Sequence, residues 1–159
     1  LAISPWHLHF SRGGWEANSA TFFILTGVYF FFKALNNPKI FTFRGLHYQT
    51  APPQKKYVKV IQGSIMDFEV DINTLEAKYQ KVDADTAVEI DEDKAHGYLT
   101  LEPDTIVAYL VKGEYNPESE HSVCWTNSPE IKRIVESYVR KHPLTISEKD
   151  TNAGPIKKQ

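Results

Sequence analysis

Between residues 40 and 111 the chain breaks into short β-rich runs at close, regular spacing, with turn signals between them. Residues 40–46 follow Asn36-Asn37-Pro38, Ala51-Pro52-Pro53 is a break, and residues 57–61 end at the turn Gly63-Ser64. Runs at 65–72, 87–90, 97–101 and 105–111 follow. Connections this short leave no room for helical crossovers, so the pattern predicts an all-β sandwich or barrel. Within 65–72, Met66, Phe68, Val70 and Ile72 alternate with Ile65, Asp67, Glu69 and Asp71, which puts most of the apolar residues on one face.

One helix is expected, over 128–142. Ser128 can cap it and Pro129 suits its first position. Ile131, Ile134, Val135, Tyr138 and Val139 form an apolar stripe, and Arg140, Lys141 and His142 place positive charge in the last turn. Pro143 follows, and residues 152–159 are expected to be loose. A chain of 159 residues fits one domain. That domain divides into N-terminal strands (1–39), a barrel core (40–127), the helix, and a C-terminal segment (143–159). The apolar run 22–32 is too short for the roughly 20 residues of a membrane helix, and Gly27 interrupts it. Two buried strands hinged near Thr26-Gly27 are expected there instead.

The net charge of −2 gives no reason to expect nucleic acid or an anionic membrane as a partner. Cys124 is the only cysteine, so no internal disulfide can form, and a reducing compartment such as the cytoplasm is expected. His7-Leu8-His9 has a metal-ligand spacing, but no glutamate and third histidine follow at a matching distance, so no metal is expected. His121 and His142 read as surface residues. Arg44, His47 and Gln49 form a denser polar group at the end of an apolar run. A lone histidine there is more often structural than catalytic. A bulge at Gly45, however, would turn Arg44 and His47 into one cavity.

The run Arg44-Gly45-Leu46-His47-Tyr48-Gln49 leads to a wider match. With 53–60, 63–71, Ala95-His96-Gly97-Tyr98, Tyr109 to Tyr115-Asn116-Pro117, Glu120, Trp125 and 146–150, it resembles the dTDP-4-dehydrorhamnose 3,5-epimerases. The resemblance covers residues 40 to 150. It implies a cupin-type jelly-roll barrel acting on a nucleotide-linked 4-keto-6-deoxyhexose, with no cofactor, and a homodimer. By the same resemblance His47 is the base, Asp150 its orienting partner, Tyr109 the opposing acid, and Lys56 the cation near the developing enolate. Arg44, Gln49, His96 and Lys149 match positions in or near the sugar-nucleotide site. Arg12, in the faintly similar segment 11–16, is the candidate nucleotide contact. Two alternatives stand beside this expectation: an epimerase of one carbon only, and a non-catalytic sugar-nucleotide binder.

Overall fold

A computed structural model describes residues 36–37, 40–140 and 142–156. Two sheets face each other, with every strand pairing antiparallel except that of Thr145–Ile146 with Thr42–Gln49, which is parallel. The first sheet has the order β1 (Asn36–Asn37), β8 (Thr105–Lys112), β3 (Lys55–Gln62), β6 (Ala87–Ile90). The second has the order β10 (Thr145–Ile146), β2 (Thr42–Gln49), β7 (Lys94–Thr100), β4 (Ser64–Asp71), β5 (Ala77–Asp83). β9 (Glu120–Ser122) also pairs with β2, beside residues 47–49. The all-β expectation holds. The runs at 57–61, 87–90 and 105–111 fall wholly on strands, those at 65–72 and 97–101 each overrun theirs by one residue, and the run at 40–46 enters its strand at Thr42.

The alternation of β4 explains the layering. Ile65 joins Val58, Val60, Val82, Ile90, Tyr98 and Val107 in a core between the sheets. Met66, Phe68 and Val70 lie on the opposite face, in a second core with Phe43, Leu46 and Leu99. Helix α1 (Pro129–Val139) closes that second core with its buried Ile131 and Val135. Each fully buried Val, Ile or Phe adds about 1.5–3 kcal/mol. Both faces of the six-stranded sheet are therefore anchored, and the polar Asp67 and His96 of its inner face are buried between packed layers.

The helix begins as the sequence predicts, with the Ser128 hydroxyl accepting from the Ile131 amide and Pro129 in the first turn. It ends earlier than expected, at Val139, with Arg140 as its C-cap, so no basic residue occupies the last turn. A second, four-residue helix, α2 (Glu148–Thr151), follows a Ser147 cap and was not anticipated.

The C-terminal segment also needs correction. Residues 152–156 are not loose: Gly154 bridges to Val123, its carbonyl accepts from the Cys124 amide at 2.8 Å, and Ile156 packs on the outer core. No helix among the described residues is long and apolar enough to cross a membrane. Four expectations lie outside the described residues: the strands at 22–32, the pair His7 and His9, Arg12, and the span of one domain over residues 1–35.

Candidate active site

The site is created by one irregularity in β2. In a regular strand, residues 44 and 47 would face opposite sides. Here the β2–β7 register shifts between Arg44 and His47, so that Arg44 pairs with Tyr98 and His47 with His96. Tyr98 belongs to the core between the sheets, and His96 shares its face. Both Arg44 and His47 are thereby turned inward, while Phe43 and Leu46 both face the outer core. Gly45 makes this possible. Its φ is +101°, and a Cβ there would stand 2.6 Å from the His96 carbonyl oxygen. Gly97 meets it from the other side, because a Cβ at Gly97 would lie 2.6 Å from the Arg44 carbonyl oxygen.

The registers then define two rows across the inner face. One row runs His47, His96, Glu69, Lys78, and the next runs Arg44, Tyr98, Asp67, Gln80. His47 meets Asp150 from α2: Nε2 donates to Oδ1 at 2.7 Å. An ionised carboxylate only accepts, so Nε2 carries the hydrogen of this contact, which in the neutral ring leaves the lone pair on Nδ1. The other oxygen of Asp150, Oδ2, accepts from the Ser147 hydroxyl at 2.9 Å and from the Gly45 amide at 3.4 Å. Burial favours protonation of Asp150, but the His47, Ser147 and Gly45 donors outweigh it and hold the carboxyl below its ordinary range.

Tyr109 and Lys56 come from the opposite sheet. Tyr109 sits edge-on to His96, with ring centroids 6.1 Å apart, and 6.3 Å from the Tyr98 ring. Burial, reinforced by Tyr98 and the Asp67 carboxylate, pushes the Tyr109 phenol well above its ordinary range, so it stays a proton donor. The Lys56 ammonium donates to the His47 carbonyl oxygen at 3.2 Å. Burial lowers its pKa, with Glu120 opposing the shift. Of the positions expected to act, His47, Asp150, Tyr109, Lys56, Arg44 and His96 thus gather in one region between the sheets.

Two of the expected positions are already engaged within the protein. The Gln49 amide nitrogen donates to the carbonyls of Pro52 and Glu114, and its oxygen accepts from the Asn116 amide at 2.8 Å. Both hydrogens are committed, so Gln49 braces the neighbouring loops rather than offering a free donor to a ligand. Lys149 is ion-paired with Glu120 at 2.6 Å, which ties α2 to β9 beside the histidine.

Asp67, Glu69 and Glu120 were not anticipated as site residues. Asp67 accepts from His96 Nε2 at 2.7 Å, and both side chains are almost fully buried. The signal for Asp67 and Glu69 was their place on the polar face of the β4 alternation. A cavity of about 780 Å³ also lies in the described region, but it is lined by Leu46, Val70 and Pro129 on the outer side of the sheet, away from these groups.

Residues 33–158 match the family model described as dTDP-4-dehydrorhamnose 3,5-epimerase. A dTDP-4-dehydrorhamnose 3,5-epimerase of Methanothermobacter thermautotrophicus is 35% identical over 124 residues, covering 72% of this chain and 64% of that protein. One from Mycobacterium tuberculosis is 37% identical over 92 residues, covering 53% of this chain and 46% of its own length. The chain therefore spans about half to two thirds of these relatives. A crystal structure of the Bacillus anthracis dTDP-4-dehydrorhamnose 3,5-epimerase with TDP and PPi bound superposes with a TM-score of 0.62 and 29% identity, covering 76% of this chain and 70% of that one. The two-sheet barrel is thus the cupin-like fold expected from the sequence.

Proposed function

Because the chain belongs to the dTDP-4-dehydrorhamnose 3,5-epimerase family, we propose that it epimerises a nucleotide-activated 4-keto-6-deoxyhexose at carbons next to the C4 ketone. The observation that carries this reading is the His47–Asp150 pair on one sheet, with a protonated Tyr109 on the other. The ketone acidifies the neighbouring C–H bonds. His47 Nδ1 takes the proton, the C–H electron pair moves into the enolate, and the negative charge gathers on the C4 oxygen. Asp150 stays ionised and stabilises the imidazolium through Nε2. The Lys56 ammonium offsets the enolate charge. Tyr109 returns a proton to the opposite face of the same carbon, and solvent resets both groups. No oxidant, reductant or external nucleophile is consumed.

Arg44 supplies the cation that a diphosphate requires, with Lys149 beside Asp150 at the edge of the site. A cytoplasmic homodimer fits this reading. Tyr57 and Leu110 are register partners on the outer face of the four-stranded sheet, 40% and 69% exposed, and offer apolar surface to a second copy. The functional test is incubation with dTDP-4-keto-6-deoxyglucose in D2O, followed by NMR of the sugar. Deuterium at C3 and C5 with inversion is expected. Exchange at one carbon only would assign a single-site epimerase, and binding without exchange would leave a non-catalytic binder.

A further inference from the structure

Glu69, in the row of His47, and Asp67, in the row beside it, face a recess with no role in the acid–base chemistry. The recess has a volume of about 400 Å³ and is lined by Asp67, Glu69, Lys78, Tyr79 and Gln80. Asp67 is 1% exposed and gives one oxygen to His96, while its other oxygen, Oδ2, is buried with no partner among the described residues. An unmatched buried carboxylate oxygen is costly and calls for a donor. Glu69 is the register neighbour of His96, which is itself the register neighbour of His47, so the carboxyl stands two strands from the base. Adjacent strands lie about 4.8 Å apart, which puts Glu69 roughly 10 Å along the row.

We propose that Glu69 and the unpartnered oxygen of Asp67 form a subsite for a neutral hydroxyl group of the bound sugar. The proposal rests on the epimerase reading for the identity of the sugar, but its binding chemistry does not depend on turnover. An anionic phosphate is excluded by the two neighbouring carboxyls. A cation has a weaker claim, because Lys78 already stands as the register partner of Glu69. A hydroxyl suits both groups: its hydrogen goes to Asp67 Oδ2, and its oxygen accepts from the Glu69 carboxyl when that is protonated, whereas an ionised Glu69 can only share the hydrogen. Burial, together with the Asp67 charge, holds the Glu69 carboxyl above its ordinary range against the opposing His96, Lys78 and Lys94, so the protonated form is accessible as a donor.

The test compares binding of dTDP-glucose with binding of dTDP by calorimetry, in the full chain and in Glu69→Val and Glu69→Gln. dTDP-glucose carries ring hydroxyls but no ketone, so it binds without reacting. The wild type should gain affinity from the glucosyl group. Glu69→Val should cut that gain about 5–10-fold, the loss of one hydrogen bond, and leave dTDP affinity unchanged. Glu69→Gln, which keeps a donor and an acceptor, should retain most of the gain, and it serves as the folded control if Glu69→Val is unstable. An unchanged gain in Glu69→Val, or an equal fall in dTDP affinity, overturns the subsite. A wild type that shows the gain but no deuterium exchange overturns the epimerase reading alone.

Discussion

Replacing Gly45 by alanine should damage stability and catalysis through a single atom. The Cβ would lie 2.6 Å from the His96 carbonyl oxygen and 2.7 Å from the Gly97 Cα, both on rigid backbone rather than on a side chain that could swing away. The φ of +101° adds a penalty that only glycine avoids. Holding a residue with a Cβ at such an angle costs about 1–3 kcal/mol, and forcing an extra carbon into a packed site costs about another 1–3 kcal/mol. The expected loss is therefore about 2–6 kcal/mol, readable as a lower urea midpoint with an unchanged m-value. Relief by straightening β2 would return Arg44 and His47 to opposite faces and pull His47 from Asp150. The surviving folded protein should then show at least about 100-fold lower turnover. Wild-type stability together with wild-type turnover in Gly45→Ala would refute the argument that the bulge builds the site.

Other outcomes follow from single groups. Asp150→Asn should keep the fold but leave His47 without its anionic partner, lowering kcat by about 10²–10⁴-fold in steady-state assays. Tyr109→Phe should lower the rate of inversion by a similar factor while proton removal by His47, followed as deuterium wash-in, continues. The folded-state pKa of Asp150 is depressed. Its contribution to stability should be fully present above the unfolded carboxyl value near about 4 and vanish as pH falls through the lower folded value. Denaturant titrations of wild type and Asp150→Asn should converge in that acid range. Leu110→Lys should weaken self-association, measured by sedimentation, because it places charge on the exposed apolar face of the four-stranded sheet.

Much of the barrel was legible because alternation survives in its central strands. β4 reads correctly from Met66, Phe68 and Val70, yet the residues opposite them look like a solvent face and instead line the interior. β5 was missed because it stands at the edge of its sheet among the described residues, with a single buried residue, Val82, so its sequence shows no apolar side. The bulge could be anticipated from Gly45 between two inward-facing polar residues, although its register could not. The His47–Asp150 and His96–Asp67 contacts join residues far apart in the chain, and no local spacing encodes them. The first was accessible only through the resemblance over 146–150, and the second only once β4 and β7 were aligned. The internal bonding of Gln49 was not legible, because polarity beside a histidine does not show that an amide already donates to loop carbonyls.

The most direct test of the central claim is NMR of solvent deuterium entry into dTDP-4-keto-6-deoxyglucose by wild type and His47→Ala. The His47–Asp150 base predicts deuterium at C3 and C5 with the wild type and none above the buffer rate with His47→Ala, while dTDP binding is retained. Undiminished exchange in His47→Ala would contradict it and place the base elsewhere.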